Sequence, residues 1–304
     1  MSAPQDDIPF DKSPAAPSGE MLRLSPLVRR MIAPNPGPFT FTGTCTYVVG
    51  QGRVAVIDPG PDDAAHIAAL TAALAGETVA QIVVTHTHRD HSPGARQLQA
   101  LTGAPIVGCA RHVPIENAPS GRLDASHDLD HAPDQVLADG DQLEGEGFSL
   151  VAVATPGHAS NHLCFALPQE NALFSGDHVM AWSTTIVAPP DGVMGDYMAS
   201  LDKLRARDDA IYWPGHGGPV REPQRFVRAL AHHRRQREIS ILNSLGRRES
   251  TIEEIVAEIY VGLDSRLTKA AGLSVLAHLE DLVLRGAVEA GGPATLSATY
   301  ALKG

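Results

Sequence analysis

His86-Thr87-His88-Arg89-Asp90-His91 sets three imidazoles and a carboxylate within six residues, directly behind the apolar run Ile82-Val83-Val84. Neutral imidazole nitrogens and carboxylate oxygens are ligands for zinc, iron or manganese, and a strand that ends in a turn can aim several of them at one point. If this cluster binds metal, the remaining ligands should end other strands on the same edge. The sequence supplies three such ends. Thr155-Pro156-Gly157-His158 follows the run Phe148 to Ala154, Ser175-Gly176-Asp177 follows Ala172 to Ser175, and Pro214-Gly215-His216-Gly217 follows Ala210 to Trp213. In each, glycine lets the backbone turn sharply next to the polar residue. Asp58, after Val56-Ile57, either serves the turn into Pro59-Gly60 or accepts a hydrogen bond from a ligand imidazole and fixes its orientation.

These donors need a scaffold, and the order of patterns along the chain predicts one. Cys45 to Gly50 and Val54 to Asp58 read as strands joined by a hairpin, Asp62 to Ala75 as an amphipathic helix, and Ile82 to Thr85 as a strand. A helix over Ala95 to Leu101 and a strand over Pro105 to Cys109 complete a β-α-β-α-β order, which predicts an α/β sandwich. His112 to Pro133 reads as a polar loop, in which His112, His127 and His131 are expected on the surface. Short strands follow at Gln135 to Leu137, Phe148 to Ala154, His162 to Leu167, Ala172 to Ser175 and Ala210 to Trp213, with a helix over Tyr197 to Ala206. The tail turns helical: Pro223 to Leu245, Thr251 to Tyr260 capped by Ser250 or Thr251, and Ala270 to Arg285. A ribbon of Gly286 to Ala290 and Ala298 to Leu302 closes the chain, so residues 246–304 are expected to form a small winged-helix unit. Residues 21–245 would be the catalytic domain and 1–20 a disordered lead-in.

Composition narrows the function. The 304 residues are 43% hydrophobic and 19% charged, as in a globular protein, and no apolar stretch approaches the roughly 20 residues that span a bilayer. The N-terminus lacks the basic and apolar regions of a secretory signal, and Cys45, Cys109 and Cys164 are expected as buried hydrophobes in a reducing cytoplasm. The net charge of -11 is uneven. Residues 221–248 carry +6, from eight Lys or Arg against two Asp or Glu, while residues 249–304 carry -4. The basic island is either a solvated helix face or an anion-contacting surface.

In the order Asp58, His86 to His91, His158, Asp177 and His216, the chain resembles the metallo-β-lactamase fold superfamily. The segment Val187-Ala188-Pro189-Pro190-Asp191-Gly192 and the helical tail are similar to the beta-lactamase-like protein 2 group. One departure is Cys45, where relatives commonly carry asparagine. The resemblance implies an αββα sandwich and two divalent metal ions, zinc foremost, with iron or manganese as alternatives. It assigns His86, His88 and His158 to one ion, Asp90, His91 and His216 to the other, and Asp177 to both. Asp90 and Asp177 would then be catalytic, with Asp58 behind a ligand imidazole.

Two metals can share a water and lower its pKa toward neutrality, which makes a bridging hydroxide the expected nucleophile. The group resemblance implies attack on a phosphodiester, as in a metal-dependent endoribonuclease acting on single-stranded RNA. Arg225, Arg228, Arg234, Arg235 and Arg237 would contact phosphates. A thioester or small-ester hydrolase of the glyoxalase II kind is the alternative, the same arginines then holding an anionic leaving group. A nucleic-acid-binding regulator with a structural metal is the third reading, and the -4 charge of the tail disfavours it. The expected partner is an anionic substrate, RNA or a small thioester, with no membrane and with a possible homo-oligomer through the C-terminal unit. His162 and His178 flank ligand candidates and are either supports of those ligands or partly buried structural histidines, the latter the more expected, and Trp182 and Tyr197 are either core or pocket lining.

Overall fold

The structure is a computed structural model that describes residues 8–13, 16–114 and 127–304. Its first sheet follows chain order: β1 (Leu22–Arg23), β2 (Val28–Ile32), β3 (Cys45–Val49), β4 (Arg53–Ile57), β5 (Thr78–Val84), β6 (Ile106–Gly108) and β7 (Gln135–Val136). Pairing is antiparallel as far as β4 and parallel from β4 to β7. Parallel neighbours need crossovers, and α1 (Ala64–Ala73) and α2 (Gly94–Thr102) supply two of them. Asp63 caps α1 by accepting from the backbone N–H groups of Ala65 and His66.

The second sheet runs β12 (Ile211–Pro214), β11 (Ala172–Gly176), β10 (Leu163–Leu167), β9 (Ser149–Ala154) and β8 (Gln142–Glu144). Successive strand residues face opposite ways, and β10 shows the result: Leu163, Phe165 and Leu167 enter the core between the sheets, while Cys164 and Ala166 pack beneath helices. Those helices are α3 (Met194–Arg205), through Tyr197, Leu201 and Leu204, and α4 (Pro223–Leu245), through Phe226, Val227 and Leu230. The layers are therefore αββα. Tyr47 joins the two sheets, its ring edge-on to Phe174 at 5.1 Å and its hydroxyl donating to Pro214 O at 2.8 Å. Fully burying side chains such as Phe165 and Phe174 stabilises the fold by about 1.5–3 kcal/mol each.

The C-terminal unit holds a separate core of Ile252, Ile255, Val275, Leu279, Leu282, Val288 and Tyr300. It comprises β13 (Ser250–Thr251), α5 (Ile252–Ile259), α6 (Thr268–Leu284), β14 (Val288–Ala290) and β15 (Thr299–Leu302), with sheet order β13-β15-β14. Thr251 is the cap of α5: it accepts from Glu254 N while Glu254 reaches back to Thr251 N. Ile241 and Leu245 of α4 also enter this core, so one helix anchors both units.

Three expectations need correction. The described part of the lead-in is ordered against the body: Ile8 is buried with the α3–α4 cluster, Phe10 packs edge-on to Phe226, and Asp11 N donates to Ala181 O. Apolar residues among the prolines find an apolar helix face. The second concerns α3, which begins at Met194, earlier than the period suggested, because Met194 is itself buried in the cluster that the helix covers. The third concerns the polar insert, of which residues 115–126 lie outside the described residues. At its described ends the side chains of His112, His127 and His131 are buried, not solvated.

Candidate metal centre

Four strand ends deliver the seven donors. Residues after β5 give His86, His88, Asp90 and His91, and the ends of β9, β11 and β12 give His158, Asp177 and His216. The structure brings all seven together in two groups, His86, His88, His158 and Asp177 in one and Asp90, His91 and His216 in the other. Asp177 faces both groups, its Oδ2 lying 3.7 Å from His158 Nε2 and 3.3 Å from His216 Nε2.

Asp58 lies behind the ligands. It sits at the end of β4 with φ 48°, a left-handed conformation that Asp tolerates better than most residues. Its carboxylate accepts from Thr85 N at 2.8 Å and Thr85 Oγ1 at 2.7 Å, and from His91 Nδ1 at 3.0 Å. Because the Thr85 hydroxyl hydrogen goes to Asp58, Thr85 Oγ1 accepts from His86 Nδ1 at 2.9 Å. His158 Nδ1 donates to Ile186 O at 2.7 Å.

These outer contacts decide which nitrogen carries each lone pair. With Nδ1 committed as donor, His86 Nε2 presents a lone pair to His88 Nδ1 at 3.0 Å, and His158 Nε2 does so at 3.1 Å. His91 Nε2 faces His216 Nε2 at 3.3 Å, while His216 Nδ1 faces Gly43 O. Ring nitrogens that converge in this way suit a cation between them. Asp177 Oδ1, buried and without a hydrogen-bond partner, points to the same need. The residues thus fit two divalent ions, and His/Asp ligation does not separate zinc from iron or manganese.

Electrostatics agree. Burial, aided by the neighbouring imidazoles, holds His86 and His88 well below the ordinary imidazole range. Burial also works against ionised Asp90 and Asp177, but His91 and His216 outweigh it and keep both carboxyls well below the usual range. Conversely, burial opposes a charged His216, yet Asp177 and Asp90 raise it to about 10, and they raise His91 as well.

Two flanking histidines separate in role. His162 Nε2 accepts from Asp177 N at 3.2 Å and so helps to fix that carboxylate. His178 is buried against Tyr197, with ring centroids 4.6 Å apart. The place of His162 beside ligand candidates made it a candidate support, and the partner it supports is the end of β11.

The arginines of α4 do not converge on the site. A cavity of about 390 Å³ over the ligands is lined by Phe39, Met180, Ile186, Ala188, Pro189 and Pro190 along with metal-centre residues, and no residue of α4 lines it. Arg225 pairs with Glu222, Arg228 is exposed, and Arg235 lies 3.9 Å from Asp202. Arg234 is buried, donating to Thr185 O and Ser274 Oγ with its guanidinium over the Tyr197 ring. Arg237 donates to Ile259 O and stacks on Tyr260. Helical spacing turns these side chains to different faces, and α6 covers one of them.

Comparison with known proteins agrees with this geometry. Residues 39–216 match the metallo-beta-lactamase superfamily, whose members usually bind metal ions, and residues 251–293 match the beta-lactamase associated winged helix domain. The chain is 31% identical to an atrochrysone carboxyl ACP thioesterase from Paecilomyces divaricatus, over 90% of this chain and 84% of that protein. It is 31% identical to the beta-lactamase-like protein 2 homolog of Caenorhabditis elegans, over 88% of each. A metallo-beta-lactamase family protein from Thermus thermophilus superposes with TM-score 0.74 at 26% identity, covering 92% of this chain and all of that one. The chain belongs to the metallo-beta-lactamase superfamily, as a hydrolase with a C-terminal winged helix domain.

Proposed function

We propose that this hydrolase cleaves a thioester whose acyl group is apolar. The cavity wall carries the proposal: Phe39, Met180, Ile186, Ala188, Pro189 and Pro190 form an apolar surface against the donor cluster, and Arg89 at the mouth is the one Lys or Arg among the described lining residues. Such a wall takes up a carbon chain and offers little to a string of phosphates. A second cavity of about 420 Å³ shares Phe39, Met180 and Ile186 with the first and adds Lys12, Trp182, Arg234 and Arg237. Its volume and the cations of Lys12 and Arg237 suit the thiol carrier of a thioester, while the acyl part occupies the apolar wall. The relative named as an ACP thioesterase supports this reading.

Two bound divalent ions would polarise the thioester carbonyl and lower the pKa of a water toward neutrality. The chain's own residues prepare for this. Thr44 Oγ1 donates to Asp90 Oδ2 at 3.3 Å, Asp58 holds His91, and Ile186 O holds His158, so the donors are set before substrate arrives. Asp90 and the buried Asp177 keep their negative charge for the metals. The apolar wall excludes bulk water from the acyl side.

Phosphodiester cleavage of RNA is the second reading, favoured by Arg89 at the mouth. Kinetics of metal-loaded protein on acyl thioesters of increasing chain length, beside labelled single-stranded RNA, test the two. The expected result is a kcat/KM that rises with acyl length and is lost in Asp177→Ala. RNA cut while every thioester survives would overturn the proposal.

A further inference from the structure

The helical period of α4 sorts its basic residues into two sets. Arg225, Arg228, His232 and Arg235 follow one another at offsets of three, four and three residues, and Ile239 comes four further on, so all five share one line along the helix. All five are exposed. On the opposite side Phe226, Val227, Leu230 and Ile241 are buried. We infer that this outer face of α4 is the docking surface for an acidic partner protein, the carrier that delivers the thioester. That the partner carries the substrate rests on the proposed thioesterase activity; the surface itself does not.

Charge is the main argument. Residues 221–248 carry +6 in a protein of net charge -11, so the face is a cationic island that attracts an acidic partner. Its guanidinium groups are available. Arg228 meets no carboxylate among the described residues. Arg225 pairs with Glu222, and Arg235 lies 3.9 Å from Asp202, both in exposed positions where such pairs are worth little. Asp202 also meets Arg205 at 3.2 Å, so one carboxylate stands against two guanidinium groups and the excess is positive.

Shape favours a protein over a nucleic acid. The line from Arg225 to Ile239 is about 21 Å long at about 1.5 Å of rise per residue. A helix laid along it, with carboxylates at the same three- and four-residue spacing, would meet each basic residue in turn. Ile239 ends the line with an apolar side chain, the kind of contact that a protein interface buries. Single-stranded nucleic acid is held by aromatic side chains as well as cations, and the line contains no Phe, Tyr or Trp. The buried side of α4 already fixes the backbone, so only side chains are ordered when a partner docks.

The face also lies beside the route proposed for the substrate. His233, Arg234 and Arg237 of the same helix line the second cavity. A partner on the outer face would stand one helix diameter, roughly 10–12 Å, from the cavity that takes its thiol arm.

Two octanoyl thioesters test the surface, one on an acidic acyl carrier protein and one on pantetheine, which is uncharged. Arg228→Glu combined with Arg235→Glu should lower kcat/KM on the carrier-bound thioester at least about tenfold and leave the pantetheine thioester unchanged. Affinity for the unloaded carrier, read by fluorescence anisotropy, should fall by a similar factor, and in the parent it should weaken as salt rises. Both positions are exposed, so the circular dichroism should stay native. Arg53→Glu, an exposed reversal on β4, controls for net charge beside Arg228→Glu alone and should change neither readout. Equal carrier binding by parent and double variant, or equal loss on both thioesters, would overturn the inference. Carrier binding that is lost in the variant, with neither thioester turned over by the parent, would keep the surface and sink the thioester reading. Labelled single-stranded RNA released by the same reversals, with no carrier binding in the parent, would make the face a phosphate contact and overturn the inference as well.

Discussion

At the scale of single residues, the centre depends on groups that touch no metal. Asp58 accepts from His91 and, through Thr85, sets the tautomer of His86, so it orients one imidazole in each donor group. Asp58→Asn keeps the shape but weakens the acceptor on both paths. Supporting carboxylates of this kind are worth about 10–100-fold in metal affinity or activity. We therefore expect zinc dissociation constants to rise by about that factor at both ions, measured by competition with a chromophoric chelator; unchanged constants would leave Asp58 a turn residue only. Gly215 offers a sterically sharper test. A Cβ there would stand 2.5 Å from Asp177 Oδ1 and 2.7 Å from His91 Cε1. Gly215→Ala should push both ligands aside and cost at least one metal equivalent, while near-native circular dichroism persists. The seven donor candidates were legible in the sequence because they lie just past four apolar runs, a local pattern. His162 was legible as a candidate support, but not Asp177 as its partner, because that contact depends on the pairing of β10 with β11.

Among the elements, α4 and α6 carry most of what the sequence could not reveal. The basic character of α4 was plain, but its arginines diverge once the helix is wound, and Arg234 becomes a buried strut between Thr185 and Ser274. Hydrogen bonds from a buried guanidinium are worth more than surface contacts, so Arg234→Ala should destabilise the protein by about 2–4 kcal/mol in chemical denaturation. Arg234→Lys should recover only part of this, since a single ammonium cannot span both partners and stack on Tyr197. On α6, burial raises Glu280 to about 7 from an ordinary 4.5. A carboxyl with a raised folded pKa binds more protons folded than unfolded between those values, so stability falls as pH rises from about 4.5 to 7 and then levels off. Because Glu280 is only half-buried, the penalty is discounted to about 1–2 kcal/mol. Glu280→Gln should match the parent near pH 4.5 and melt a few degrees higher at pH 8; equal melting temperatures at pH 8 would refute the shift.

For the whole molecule, the question is what the winged helix domain and the charge distribution do together. Four arginines in and beside the tail are taken up in ion pairs: Arg247 meets Glu258, Arg248 lies 3.5 Å from Glu254, Arg266 pairs with Asp264, and Arg285 pairs with Asp281 and Glu238. The domain instead packs on the catalytic sandwich, with Ala277 in the α3–α4 cluster and the second cavity between the two units. A protein of net charge -11 whose cavity shows one arginine at its mouth should respond weakly to salt when it turns over a thioester of an uncharged thiol. RNA behaves otherwise. Each phosphate neutralised on a single strand adds about -0.7 to the slope of log affinity against log salt, so three contacts would lose roughly 20-fold over a fourfold rise in salt. Measured from 50 to 200 mM salt, kcat/KM on a neutral acyl thioester should vary by less than about threefold, because exposed charges farther than a Debye length of about 10 Å are screened. A steep fall on RNA, accompanied by no thioester turnover at any salt, would instead place the cations of Lys12, Arg89 and Arg237 on a phosphate backbone.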